Sequence, residues 1–72
     1  MNTAAARYVV LQIRLRRRIA GLTASELALA SGIAAEQMER IEAGRAALTW
    51  ADLTRIASAL DCEVSTLLDG TA

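Results

Sequence analysis

The sequence has 72 residues, enough for one domain with a single core. Hydrophobic residues make up 54% of it but aromatic residues only 3%, so the core has to be built from Leu, Ile, Val and Ala, a composition typical of helices. Eight arginines balance eight acids, and the net charge of zero excludes the uniformly basic surface that drives non-specific binding to nucleic acid.

Cysteine and histidine usage excludes two further classes of site. Cys62 is the single cysteine and there is no histidine, so neither an internal disulfide nor an ordinary structural zinc site is expected. The apolar neighbours of Cys62 predict a small buried core residue. Without histidine, and without a nucleophile beside a base, we predict that the protein is not an enzyme and needs no metal, cofactor or small-molecule ligand.

The first predicted helix runs from about residue 4 to residue 20 and ends at Gly21, because glycine readily takes the left-handed conformation. Arg7, Gln12 and Arg14 interrupt it, which leaves neither a signal-peptide core nor the roughly 20 apolar residues of a membrane span. We therefore expect a soluble, cytoplasmic protein that does not enter a membrane. Every acid of the chain lies from residue 26 onward, whereas helix 1 holds five arginines: Arg7, Arg14, Arg16, Arg17 and Arg18.

Thr23 and Glu26 stand three residues apart and predict a capping box, in which the hydroxyl and the carboxylate each accept a bond from a backbone N–H. Helix 2 then covers about residues 24–30 and buries Leu27 and Ala28. The same Thr-x-x-acid pattern returns later in the chain, so two helix starts are marked independently.

A short connection, ASGI, joins helix 2 to helix 3, which is predicted for about residues 35–43 and ends at Gly44. Two helices this short, joined by a turn that contains glycine, have the spacing of a helix-turn-helix. Ala28 and Gly32 are the small residues that a close approach of the two helices requires. The residues of helix 3 and its turn that are expected to point inward are Ile33, Met38 and Ile41.

Thr49 and Asp52 form the second Thr-x-x-acid pattern and predict the start of helix 4, about residues 50–60. A short helix 5 follows at about 64–68 and closes at Asp69 and Gly70. We therefore predict an all-α fold of five helices in one domain, 1–72. The inward face of helix 4 is expected to hold Leu53, Ile56, Ala57 and Leu60.

These motifs resemble the Cro/C1-type (Xre-type) helix-turn-helix repressors of bacteria and phages. The resemblance runs from about Ile13 to Gly70 and rests on "GLTASELALASGI", "MERIEAGR" and "LTRIASALDCEVSTLL". It implies a lambda-repressor-like domain that binds double-stranded DNA as a homodimer, with helix 3 in the major groove. It also implies an ion pair between Arg17 and Glu42, for which the alternative is two solvated charges.

The positions that this family uses to read DNA depart from its pattern. The slot for a Gln that grips the DNA backbone holds Ala24, and the base-reading slots around the start of helix 3 hold Ala34, Ala35, Glu36 and Gln37. Alanine can touch a thymine methyl, Glu can accept a bond from cytosine, and Gln can contact adenine; Glu36 is also spaced for a pair with Arg40. The candidate DNA contacts are Thr23 through its helix start, Ala35, Glu36, Gln37, and Arg40 and Arg45 as phosphate ligands.

Helix 1 carries more apolar surface than one core-facing stripe uses. At roughly 100° per residue, Val9, Ile13 and Ala20 form the core stripe, with Arg16 where the resembled family has Leu. A rolled helix could bury Leu15 in place of that Leu; otherwise the second stripe is a partner surface, most simply the contact of a homodimer. The second stripe consists of Tyr8, Leu11, Leu15 and Ile19.

The predicted function is that of a sequence-specific DNA-binding transcriptional regulator, a repressor or an antitoxin-like protein that acts as a dimer. The alternative is a protein-interaction module that has kept the fold and lost DNA affinity. The neutral charge and the alanines and glutamates at the start of helix 3 favour that alternative.

Overall fold

The computed structural model describes the backbone of residues 3–69 and the side chains of residues 4–69. Within these residues it has five helices and no strand, which confirms the predicted all-α fold, and every helix end lies within one residue of its predicted position. Gly70, which was predicted to close the last helix, lies outside the described residues. The helices are α1 (Thr3–Ile19), α2 (Ala24–Ser31), α3 (Ala35–Glu42), α4 (Trp50–Ala59) and α5 (Val64–Leu68).

Every helix contributes at least one large aliphatic side chain to a common core. The helix α3 packs against α1 and α2, and α2 packs against α4, so the core lies where all five helices meet. Full burial of each such side chain contributes about 1.5–3 kcal/mol to folding, so this set determines how the helices are placed. The largest fully buried residues are Val9, Ile13, Leu27, Met38, Ile41, Leu53, Ile56 and Leu67.

Four of the helices end with the same local structure. After each of α1 to α4 one residue is left-handed, and the next N–H bonds a carbonyl five residues back, as Ile33 does to Ala28 at 3.0 Å. A Cβ placed at Gly32 would meet no atom within 4 Å, so the position does not need glycine for lack of space. It needs glycine for its left-handed φ of 69°. The prediction that Gly32 allows close helix approach is therefore wrong, whereas Ala28 is buried as expected.

The starts of α2 and α4 are capped by threonine, but not identically. The Thr23 N–H donates to Glu26 Oε1 at 2.9 Å, and the Glu26 N–H donates to Thr23 Oγ1 at 3.1 Å, which completes the capping box. At α4 the Asp52 N–H donates to Thr49 Oγ1 at 3.1 Å, without the reciprocal bond. The Asp side chain is one methylene shorter than that of Glu, which explains the difference.

One of two expectations about the edge of the core needs correction. Cys62 is half-buried rather than a core residue, because it lies in the connection after α4 and lines a cleft between α4 and α5. Leu60, at the end of α4, is half-buried and packs against the core as expected. Among residues 3–69 no helix is long and apolar enough to cross a membrane. Within the same range no three His, Cys, Asp or Glu residues are grouped so that they could hold a metal ion.

Candidate nucleic-acid interface

The helix α3 has one buried side and one exposed side. Met38 and Ile41 are fully buried, and they fix the helix against α1 and α2. The opposite side faces solvent, so this helix could enter a groove of DNA without unfolding any part of the core. The exposed residues of α3 are Ala35, Glu36, Glu39 and Arg40, and Ala43, the residue directly after the helix, is also exposed.

A shallow groove runs along this exposed side of α3 into the following loop. It brings together Glu36, Arg40 and Arg45, three of the residues predicted to contact DNA. It also includes Glu39 and Ala43, which the predicted set of contacts omitted. Their spacing of three and seven residues from Glu36 is the helical signal that could have identified them.

The other predicted contacts lie outside this groove. Ala35 is exposed at the first turn of α3. Gln37 is half-buried, four residues before the buried Ile41 and therefore on the same side of the helix, so it lies at the margin of the exposed side. Thr23 is exposed at the start of α2.

The groove carries charges of both signs. Glu36 and Arg40 have the spacing of an intrahelical pair, but the structure joins them neither by a hydrogen bond nor by an ion pair within 4 Å. Arg45 also has no acidic partner among the described side chains. Both arginines are thus open to an anion from outside, while Glu36 and Glu39 would repel the same anion.

The start of α2 offers less to a phosphate than the sequence suggested. The capping box already uses the N–H groups of Thr23 and Glu26. Bonding to the backbone of Thr23, and secondarily to its side chain, lowers the pKa of Glu26 below its ordinary value of 4.5. A carboxylate that is charged at neutral pH therefore stands at this helix start and opposes a second anion.

An ion pair ties the end of α1 to the end of α3. The Arg17 Nε donates to Glu42 Oε2 at 2.8 Å, and Nη2 donates to Glu42 Oε1 at 2.8 Å. The Arg17 Nη1 also donates to the Leu22 carbonyl at 2.9 Å. The side chains are only 12% and 9% exposed, so this two-bond fork is shielded from solvent and fixes the position of α3.

The outer side of α1 is apolar and exposed. Leu15 is 52% exposed, so the structure does not contain the rolled helix that would bury it, while Val9 and Ile13 are fully buried. Ala20, predicted for the core stripe, is exposed because α1 ends at Ile19 and the chain turns there. Arg16 is half-buried, and its Nε has no partner within the described part of the chain.

We call the exposed apolar stripe and the arginines beside it the α1 surface. Leu11 is 60% exposed and Ile19 is 75% exposed, whereas Tyr8 is half-buried at the edge of the stripe. At about 100° per residue, three arginines follow one margin of this stripe. The α1 surface consists of Tyr8, Leu11, Leu15 and Ile19 with Arg7, Arg14 and Arg18.

Comparison with known protein families shows which family the chain matches. The family model described as a helix-turn-helix domain matches residues 9–68, which include the whole of α2, α3, α4 and α5 and most of α1. No curated protein and no solved structure matches the chain significantly.

Proposed function

The chain belongs to the helix-turn-helix domain family, and from this premise we propose that it is a sequence-specific DNA-binding transcriptional regulator of the Cro/C1 (Xre) type. The observation that carries the proposal is the exposed side of α3, held outward by the core and by the Arg17–Glu42 pair, with unpaired arginines beside it. In the proposed complex α3 lies in the major groove, and the protein acts as a repressor or as the DNA-binding part of an antitoxin-like system.

The residues along α3 have distinct roles in this proposal. Arg40 and Arg45 bind phosphates and hold the helix in register along the duplex. Ala35 lies against a thymine methyl, and Glu36 accepts a hydrogen bond from the cytosine N4 amine. Gln37 contacts adenine only at the margin of the interface, because its side chain is half-buried. At the start of α2, near Thr23, a phosphate is contacted by the backbone N–H groups that the capping box with Glu26 does not use.

We further propose that two copies act together as a homodimer. Regulators with a helix-turn-helix commonly read two half-sites about one helical turn of DNA apart, which requires two recognition helices in a fixed relation. The sequence predicts the apolar stripe of the α1 surface as the place of contact, but two copies packed there would bring arginines together without any acid, so the dimer is proposed without assigning its contact to α1.

The second candidate function is a protein-interaction module without DNA affinity. The presence of Glu36 and Glu39 in the same groove as the two arginines favours it, because both carboxylates would face phosphates. Under this proposal the helix-turn-helix serves only to hold α1 and α3 in place.

The test is fluorescence anisotropy with a duplex from upstream of the protein's own coding sequence and with a scrambled duplex of the same composition. Regulator function predicts stronger binding to the first duplex, and loss of that binding in the Arg40→Ala, Arg45→Ala double variant. Arg55→Ala, an exposed arginine on α4, is the matched control and should bind as the wild type does. Absence of binding even at low salt would favour the interaction module.

A further inference from the structure

The outer side of α1 combines two features that the proposed DNA contacts do not use. One is the apolar stripe, in which three large side chains are each more than half exposed. The other is the row of arginines along one margin of that stripe. The helix contains five of the eight arginines and none of the eight acids of the chain, so nothing on α1 itself neutralises this row.

The arginine row is also unpaired with the rest of the molecule. Across residues 4–69 the one ion pair within 4 Å is that of Arg17 with Glu42, and Arg17 lies on a different side of α1. The guanidinium groups of Arg7, Arg14 and Arg18 form no hydrogen bond or ion pair with any described residue. The charge of this row is therefore available to a partner, as is the apolar area beside it.

A second copy of the chain fits the apolar stripe but not the charges. If two α1 helices pack antiparallel about a twofold axis, the arginine row of one copy lies directly against that of the other. If they pack parallel, each row instead meets the opposite margin of the stripe, where Gln12 and Arg16 stand. Neither arrangement brings an acid to an arginine, and like charges at an interface are unfavourable.

A membrane surface also fits less well than a protein. A helix that lies in a bilayer interface has a broad apolar side, with basic residues along both margins that reach the headgroups. On α1 three arginines, the exposed Arg7 and Arg18 and the half-buried Arg14, follow one margin, whereas the other margin holds a single half-buried arginine, Arg16, beside Gln12. The stripe is one side chain wide and about 12 Å long from Leu11 to Ile19, which matches a ridge of another helix.

We infer that the α1 surface binds an acidic amphipathic helix of another protein, with Leu-like side chains against the stripe and carboxylates against the arginine row. Such helix-on-helix recognition uses apolar anchors at helical spacing for affinity and flanking charges for orientation. The inference does not depend on DNA binding, because the α1 surface shares no residue with the groove on α3.

Two synthetic helical peptides test the inference on the full chain. Both carry the same leucine stripe, flanked by glutamates in one peptide and by lysines in the other. Anisotropy at low salt should show the glutamate peptide bound at least about tenfold more tightly. Leu15→Gln should weaken this binding about tenfold, whereas Leu29→Gln, which alters an 85% exposed leucine on α2, should leave it unchanged.

Reversing the charge of the arginine row gives a stricter test. The triple variant Arg7→Glu, Arg14→Glu, Arg18→Glu should lose the glutamate peptide and gain the lysine peptide. Circular dichroism checks that the variant is folded. If it is not folded, the single change Arg18→Glu, at an exposed position, should shift the preference in the same direction. The same reversal at Arg55 should have no effect.

Three results would overturn the inference. The first is equal binding, or no binding, of the two peptides. The second is a dimer in sedimentation that Leu15→Gln converts to a monomer and that the glutamate peptide does not dissociate, because a second copy would then occupy the surface. The third is binding to vesicles of anionic phospholipid that the glutamate peptide does not displace, because the surface would then be a membrane contact.

Discussion

The outer sides of α1 and α3 differ in a way that separates fold from function. The outer side of α1 carries arginines and no acid, whereas the outer side of α3, the second helix of the helix-turn-helix, carries Glu36 and Glu39 with a single Arg40. The residues on the inner sides of both helices are alike, being buried aliphatics that belong to one core. The inward residues thus determine that this is a helix-turn-helix domain, while the outward residues determine what each helix can bind.

Polarised charge would let a neutral chain bind both proposed partners, DNA and an acidic helix. A groove with two arginines and two glutamates has little net field, so it favours contacts made at short range in one register. The α1 surface has an unbalanced positive field, which favours any acidic partner with a matching apolar stripe. The two surfaces are therefore expected to respond to different substitutions and to different salt concentrations.

The largest expected effect comes from removing the Arg17–Glu42 ion pair that joins α1 to α3. Glu42→Ala leaves the shielded guanidinium of Arg17 without its partner, and we expect the free energy of unfolding to fall by about 3 kcal/mol. Urea unfolding followed by circular dichroism measures it. The control is Glu39→Ala, one turn away and exposed, which should change stability by no more than about 0.5 kcal/mol. Equal losses in the two variants would mean that the pair does not hold α3.

An intermediate effect is expected from making α3 less acidic. The double variant Glu36→Gln, Glu39→Gln removes two carboxylates that would face phosphates in the proposed complex, each repelled by about 1 kcal/mol at 4 Å in water. DNA affinity at low salt should rise roughly tenfold or more, as measured by anisotropy.

The matched control for this variant is Asp61→Asn, Glu63→Gln, which changes the net charge equally but lies at the cleft between α4 and α5. It should raise DNA affinity much less. If both double variants raise the affinity alike, the protein binds DNA through its overall charge and the position of α3 does not matter.

The smallest expected effect concerns acid sensitivity at the start of α2. Bonds from Thr23 lower the pKa of Glu26 in the folded state, so the stabilisation is present above the unfolded pKa of about 4.5 and is lost as pH falls through the lowered folded pKa. The difference in unfolding free energy between wild type and Glu26→Gln should therefore be larger at neutral pH than in acid. A difference that does not change with pH would contradict the role of the charge in this cap.

Local sequence signals were sufficient for most of the fold. Threonine caps and glycines after the helices mark their ends, because each satisfies backbone groups that a helix leaves unpaired. The sequence could not tell that Gly32 serves its own φ and not helix contact, because both roles require the same residue. It also could not place Cys62 or Ala20, since burial beyond a helix end depends on where the chain turns.

The candidate sites were less predictable than the fold. Periodicity gives the order of residues around α1 but not the rotation of the helix against the core, so the exposure of Leu15 was open until the structure placed Val9 and Ile13 inside. The pairing of Arg17 with Glu42 was expected from the resemblance alone, because 25 residues separate them. The absence of a Glu36–Arg40 pair depends on side-chain conformation, which spacing does not fix.

The measurement that tests the account most directly is the salt dependence of DNA binding in two double variants. If Arg40 and Arg45 supply the phosphate contacts, replacing both with alanine should reduce the slope of log K against log salt by about two. The change Arg14→Ala, Arg18→Ala, on the α1 surface, should leave the slope at its wild-type value. A larger reduction from the α1 pair, or an equal one from both pairs, would contradict the assignment of DNA binding to α3.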